Sequence, residues 1–108
     1  MKLNGIEFDN FDIYELENAE RYEKAIELLN DMENVGGTVA EGIRQQCETI
    51  FDFFNTIYGE GTDKKIFGNK VNLLICVKTL GEFLNHVGEQ KKEIEKIQNK
   101  YSLDRLKR

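Results

Sequence analysis

Three side chains in this sequence are of types that often do chemistry in proteins: a single histidine, His86, and two cysteines, Cys47 and Cys76. A serine-based triad would need a serine beside the histidine, and the only serine, Ser102, lies close to the last residue of the sequence. A cysteine–histidine pair would need both side chains at one surface. The apolar spacing instead predicts the cysteines on core-facing sides of helices and His86 on an exposed side. We therefore expect no enzyme activity and no catalytic residues.

The spacings typical of metal and cofactor sites are also missing from the sequence. Zinc sites use ligands a few positions apart, whereas Cys47 and Cys76 are 29 positions apart. Residues 59–62, Gly-Glu-Gly-Thr, contain the glycines of a phosphate loop, but the charge of Glu60 would repel phosphate, which favours a tight turn. We expect no metal and no cofactor. The cysteines are interpreted as reduced core thiols, with one disulfide as the alternative in an oxidising compartment.

Charge is distributed unevenly along the chain, whose net charge is −5. Residues 1–34 carry ten acids and three bases, and residues 69–108 carry five acids and nine bases. Two solvated faces of opposite sign explain this pattern, and so does head-to-tail self-association or docking of two partners. A duplex-binding protein needs a concentrated basic stripe, which the acidic first third would oppose, so we expect no direct nucleic-acid binding.

The length of 108 residues predicts one domain over residues 1–108. The longest uninterrupted apolar run has five residues, Leu73–Val77, whereas a membrane-spanning helix needs about 20. The first residues become acidic before an apolar signal segment could form. We expect a cytoplasmic protein that does not bind a membrane.

The elements that position these residues are mainly helices, preceded by an arm at residues 1–14. The Asn4-Gly5 pair favours a tight turn, and apolar residues alternate with acidic ones beyond it, so we expect a short β-hairpin or an extended arm. The apolar side of the arm must lie on the helices or on another subunit, because an isolated hairpin is only marginally stable. Its expected anchors are Phe8, Phe11 and Ile13.

Apolar periodicity predicts three longer helices and one short helical turn within a body at residues 15–101. The first helix covers residues 15–34. The second opens at a capping box, Thr38-Val-Ala-Glu41, and ends at Gly59. A short turn capped by Thr62 covers residues 63–67 and ends at Gly68. The last helix begins near residue 70 or 71 and continues past Gly88 to residue 101, and residues 102–108 form a basic flexible tail. The predicted core stripe of the second helix is Val39, Ile43, Cys47, Ile50, Phe54 and Ile57, and that of the last helix is Leu73, Val77, Leu80, Leu84 and Val87.

Three groups of apolar residues are candidate partner-binding residues, with ordinary packing in the core as the alternative for each. The arm anchors form the first group. Phe53 and Tyr58 form the second, because they lie at the margin of a wide apolar face on the second helix. Ile94, Ile97 and Tyr101 form the third, because they continue a spacing of 3.5 residues that is typical of a coiled-coil seam.

Several stretches resemble a family of small phage and prophage proteins from Gram-positive bacteria. They are Asn4–Phe8, Ala19–Ala25, Ile43–Cys47, Phe51–Asn55, Gly59–Gly68, Asn72–Cys76 and Lys100–Ser102. The most specific part of the resemblance is Phe53–Gly68. The residues after Ser102, Leu-Asp-Arg-Leu-Lys-Arg, differ from the Asn- and Arg-rich ending of that family.

Proteins of that family are encoded in the tail-morphogenesis region, so the resemblance implies a non-catalytic tail assembly chaperone or morphogenesis factor. Such a chaperone coats the helical tape measure protein and is displaced as tail tube protein polymerises. The implied partners are therefore the tape measure protein, the tail tube protein and further copies of the same chain in a homo-oligomer.

Two alternative functions remain open. A small acidic phage protein can inhibit or trigger a host defence system, in the manner of an anti-CRISPR protein, by presenting carboxylates where phosphates would bind. The acidic face for this interaction would be Glu17, Glu20, Glu23, Glu27 and Asp31. The third possibility is a structural component that stays in the tail.

Overall fold

The computed structural model describes residues 1–30, 32 and 37–100 of the chain. Within these residues the chain forms a short antiparallel hairpin followed by four helices, which confirms the predicted mainly helical fold with an N-terminal hairpin. The elements are β1 (Lys2–Leu3), β2 (Ile6–Glu7), α1 (Leu16–Asn30), α2 (Val39–Tyr58), α3 (Thr62–Phe67) and α4 (Leu73–Lys100).

The N-terminal hairpin forms because Asn4 and Gly5 both adopt positive φ, at 52° and 78°, as a tight two-residue turn requires. Leu3 pairs with Ile6, and the buried Leu3 side chain attaches the hairpin to the helices. Asn4 adds two hydrogen bonds to the body. Its backbone N–H donates to the Glu82 carboxylate over 3.0 Å, and its side-chain amide donates to the Ile66 carbonyl over 2.9 Å. The hairpin thus docks on its own chain.

Helix α1 is described over Leu16–Asn30, and residues 31, 33 and 34 of the predicted helix over 15–34 lie outside the described residues. The apolar stripe that the sequence predicts for this helix, Ala19, Tyr22, Ile26 and Leu29, is half-buried, and the most buried position is Ala25. Alanine at that position lets α1 lie close to α2, against which it makes most of its contacts. The sequence also predicts that Asn34, Gly36 and Gly37 end this helix, and the first two of these lie outside the described residues.

Helix α2 begins as the sequence predicts. The Thr38 hydroxyl accepts a hydrogen bond from the Glu41 backbone N–H over 3.2 Å and donates to the Glu41 carboxylate over the same distance. The prediction for Val39 is wrong, because this residue is 82% exposed in the first turn, where no other element covers it. From Cys47 to Ile57 the predicted stripe is buried, and Gly59 ends the helix with a φ of 108°.

The short helix α3 is capped differently from the prediction. Gly61, with a φ of 90°, occupies the N-cap position, and Thr62 is the first helical residue. The Thr62 hydroxyl donates to the Gly59 carbonyl over 2.6 Å, so it stabilises the turn rather than the helix end. The side-chain oxygen of Asn55 accepts a hydrogen bond from the backbone N–H of Asp63 over 3.0 Å. Gly68 ends the helix, as predicted.

Helix α4 is continuous past Gly88, as predicted. It begins at Leu73, where the Asn72 side-chain oxygen accepts a hydrogen bond from the Ile75 backbone N–H over 3.1 Å. Its predicted core stripe is rotated relative to the buried one, since Val77 is 49% exposed and Thr79 is buried. Thr79 is tolerated inside because its hydroxyl donates to the Ile75 carbonyl over 2.8 Å. The fully or nearly fully buried side of α4 consists of Cys76, Thr79, Phe83 and Val87.

The centre of the core is the ring of Phe83 on α4. Aromatic rings from the arm, α1 and α2 surround it at centroid distances of 5.3 to 6.4 Å, mostly in tilted or edge-on arrangements, which aromatic pairs prefer. These neighbours are Phe11, Tyr22, Phe53, Phe54 and Tyr58. A single buried ring therefore connects every long element of the chain.

Candidate interaction surfaces

The arm residues predicted to bind a partner contact the chain's own helices. Phe11 and Ile13 are buried, with 4% and 7% of their surface exposed. Phe8 is half-buried, and its ring lies 5.0 Å from that of Tyr58 on one side and 4.5 Å from the Lys65 ammonium on the other. These three anchors are therefore intramolecular packing residues in this structure.

The two aromatic residues of α2 are less accessible than predicted. Phe53 is fully buried, because α4 packs on the margin of the apolar face and places Phe83 5.6 Å away, so its expected exposure is wrong. Tyr58 is half-buried beneath the arm, and its hydroxyl is buried without a hydrogen-bond partner among the described residues. Burial first, and the negative charge of Asp9 second, raise the pKa of Tyr58 well above its ordinary value.

Gln90 attaches the arm to α4 through two hydrogen bonds, a contact that was not predicted from the sequence. Its side-chain oxygen accepts the Ile13 N–H over 2.9 Å, and its side-chain nitrogen donates to the Phe11 carbonyl over 2.7 Å. The extended arm has no strand partner here, so the glutamine amide replaces one. His86, predicted to be exposed, is half-buried, with Nε2 3.0 Å from the Gln90 nitrogen. A glutamine within an otherwise apolar spacing was the only sequence signal.

The predicted seam residues Ile94 and Ile97 meet the end of the arm and form an open groove of 330 Å³. We call this the arm groove. Ile97 is 46% exposed and Tyr14 is 52% exposed, so apolar surface is available to a partner. Tyr101, the third predicted seam residue, lies outside the described residues. The arm groove is lined by Asn10, Asp12, Tyr14, Gln90, Glu93, Ile94 and Ile97.

A second accessible apolar surface lies on the opposite side of α4, and the sequence reasoning assigned part of it to the core. Leu74 is 64% exposed and Val77 is 49% exposed. The exposed Gly81 follows, and a side-chain carbon added there would meet nothing within 4 Å. We call this surface the outer face; it consists of Leu74, Val77 and Gly81, with Leu84 and Gly88 half-buried at its edge and Leu84 packed partly against the core.

The predicted acidic face lies on α1, where four of its five members are exposed. Glu17 accepts a hydrogen bond from Arg21 over 2.7 Å, one turn along the helix. Glu20, Glu23 and Glu27 lie within about 60° of one another around the helix axis at 100° per residue. Asp31 lies outside the described residues.

The residues considered for chemistry do not converge on one site. Cys47 and Cys76 are buried beside each other, and burial first, then the hydrogen bond from Cys47, raises the pKa of Cys76 to about 12. The side chains that could ligate a metal form no group of three or more among the described residues. In the part of the chain that the structure describes, no helix combines the length and apolar character needed to cross a membrane.

These features define a small helical protein with two accessible apolar surfaces on one long helix. The sequence matches a family of unknown function, DUF6673, over residues 4–108, and the chain belongs to this family. Comparison with curated proteins and with solved structures gave no match.

Proposed function

We propose that this protein is a non-catalytic phage tail assembly chaperone or morphogenesis factor that binds a tape measure protein in the host cytoplasm. The observation that carries the proposal is the arm groove, where accessible apolar side chains of α4 lie beside the end of the arm. The resemblance to proteins of the tail-morphogenesis region supplies the identity of the partner. We further propose that the chain acts as a homo-oligomer and that tail tube protein displaces it.

The arm groove is suited to part of a helical partner rather than to a small ligand. It is open along one side, and its volume of 330 Å³ is at the low end for small-molecule pockets, which span roughly 300–1,000 Å³. Ile94 and Ile97 supply apolar contacts at helical spacing, and Asp12 and Glu93 are acidic groups beside them. A helix with apolar residues on one side and basic residues beside them would fit this arrangement.

Co-purification from cells that express the surrounding tail genes tests the proposal. We expect the tagged protein to retain the tape measure protein, and Ile97→Glu to lower its recovery at least tenfold. The matched control is Val39→Glu, which makes the same kind of change at a residue 82% exposed on α2. Failure to recover the tape measure protein, or equal recovery with both variants, would contradict the proposal. Persistence of the chain in purified particles would instead favour a structural tail component.

The exposed glutamates of α1 favour a second candidate function, the inhibition or triggering of a host defence protein. Glu20, Glu23 and Glu27 form a continuous negative row that can occupy a nucleic-acid channel. Changing these three residues to lysine should abolish binding to a host nuclease and leave the arm groove intact. Unchanged nuclease binding would exclude this use of the acidic face.

A further inference from the structure

Gln90 can hold the arm in only one orientation of its side-chain amide. The amide oxygen must face the Ile13 backbone N–H, from which it accepts a hydrogen bond over 2.9 Å. The amide nitrogen must face the Phe11 carbonyl, to which it donates over 2.7 Å. Turning the amide over would set donor against donor and acceptor against acceptor. Because an amide nitrogen carries two hydrogens, the second N–H of Gln90 remains available in this orientation.

The ring of His86, one turn earlier on α4, receives this second N–H. Its Nε2 atom lies 3.0 Å from the Gln90 nitrogen. Since the amide nitrogen can only donate, Nε2 must accept, and an imidazole nitrogen accepts only while it carries no proton. The geometry therefore requires a neutral His86 ring with its proton on Nδ1. A proton on Nε2 would place two N–H donors opposite each other, which removes this hydrogen bond and pushes the Gln90 amide away from the arm.

The charged groups on α4 and α2 near His86 do not depend on whether the arm is docked. The carboxylates of α4 on this side are exposed and stay beside the ring in either state. Tyr58 on α2 has a pKa raised by burial, so it stays neutral while histidine titrates. The carboxylates are those of Glu82, Glu89 and Glu93.

The charged groups of the arm oppose the effect of His86 protonation and therefore cannot imitate it. The arm carboxylates are exposed, so water screens their attraction for a charged ring. The Met1 amino group donates to the Phe8 carbonyl over 3.1 Å, so gaining a proton there strengthens the arm as the pH falls. The arm carboxylates are those of Glu7, Asp9 and Asp12.

We propose that His86 and Gln90 form a pH-sensitive latch for the arm, which is closed while His86 is neutral and opens when His86 gains a proton. Docking favours the neutral ring, so by linkage added protons favour the undocked arm. Histidine is the side chain that ordinarily changes its charge between about pH 8 and pH 5. Arm docking is therefore strongest at the upper end of this range and weakens as the pH falls through it.

Opening the latch changes the accessible surface of the molecule. Undocking withdraws the arm residues that line one side of the arm groove and uncovers the Tyr58 ring, which lies 5.0 Å from the Phe8 ring while the arm is docked. The hairpin has contacts of its own, because Leu3 is buried and the Asn4 amide bonds to α3. We therefore expect release of residues 8–14 without the hairpin. The inference goes beyond the proposed function, because it concerns the chain alone.

NMR of the unaltered protein tests the latch directly, because His86 is the only histidine in the sequence. Proton–nitrogen correlation spectra at about pH 8 should show Nδ1 with a proton and Nε2 without one. The protection factor of the Ile13 N–H compares its exchange rate with that of an unstructured peptide at the same pH. It should fall about tenfold between about pH 8 and pH 5.5, the equivalent of one lost hydrogen bond. A proton on Nε2 at the higher pH, or Ile13 protection that is independent of pH, would overturn the proposal.

His86→Gln separates the latch from other effects of acid. The new side chain is neutral at every pH, and its oxygen can accept the second N–H of Gln90. We expect this variant to keep the Ile13 protection of the unaltered protein at the higher pH and to show no fall at the lower one. The matched control is Asn85→Gln, at the exposed neighbouring position, which should keep the full pH dependence. An equal fall in His86→Gln and in the unaltered protein would assign the effect to other groups and refute the latch. Because these tests use the chain alone, their outcome is independent of tape measure binding.

Discussion

Replacing Gln90 by leucine tests whether one side chain holds the arm on α4. Leucine keeps a similar volume but removes the acceptor for the Ile13 N–H and the donor for the Phe11 carbonyl. Each backbone group left unpaired in a part-buried position costs about 1–3 kcal/mol. We expect Gln90→Leu to lower the free energy of unfolding by about 2–4 kcal/mol, which is a large share of the 5–15 kcal/mol typical of a domain.

Urea denaturation measures the loss of stability, and amide hydrogen exchange shows where it occurs. The Phe8 N–H bonds the Met1 carbonyl over 2.8 Å within the arm, so its exchange reports on arm docking. A loss of about 2 kcal/mol in docking should speed its exchange roughly 30-fold. Gln98→Leu on the exposed side of the same helix is the control and should change neither quantity. A change below about 0.5 kcal/mol with an unaltered Phe8 exchange rate would refute the assignment of Gln90 as the clamp.

Three further predictions follow from backbone geometry and buried groups. Gly5→Ala should cost about 1 kcal/mol in thermal unfolding because its φ is 78°, whereas Gly81→Ala, in a helix with open space, should gain up to about 1 kcal/mol. Tyr58→Phe should be neutral or stabilising at pH 7, since the buried hydroxyl has no hydrogen-bond partner among the described residues. Because burial raises the pKa of Tyr58, its neutral phenol contributes fully to the free energy of unfolding below about pH 10, and that contribution is lost as the pH rises further. The Tyr58→Phe variant should therefore resist alkaline unfolding better than the unchanged protein. Cys47 and Cys76 should react with a thiol reagent only as fast as the chain opens, and rapid labelling of the native protein would contradict their burial.

The hairpin turn, the start of α2 and the end of α3 were predictable, because they depend on neighbouring residues alone. Asn4 and Gly5 specify the hairpin through positive φ, and Thr38 with Glu41 specifies the start of α2. Gly68 ends α3 at the predicted position for the same local reason. None of these features needs information about distant parts of the chain, so the mainly helical order of the fold could be predicted from the sequence.

The orientation of α4 could not be predicted, because the helix is apolar on more than one side. Its buried side uses Thr79, which counts as polar in any pattern yet satisfies its hydroxyl within its own helix. Of the predicted stripe, Val87 is buried in the core, whereas Val77 is 49% exposed on the outer face. Phe53 was misjudged for the same reason, since its burial depends on where α4 packs. Periodicity locates the apolar sides of a helix, and only tertiary packing decides which of them is covered.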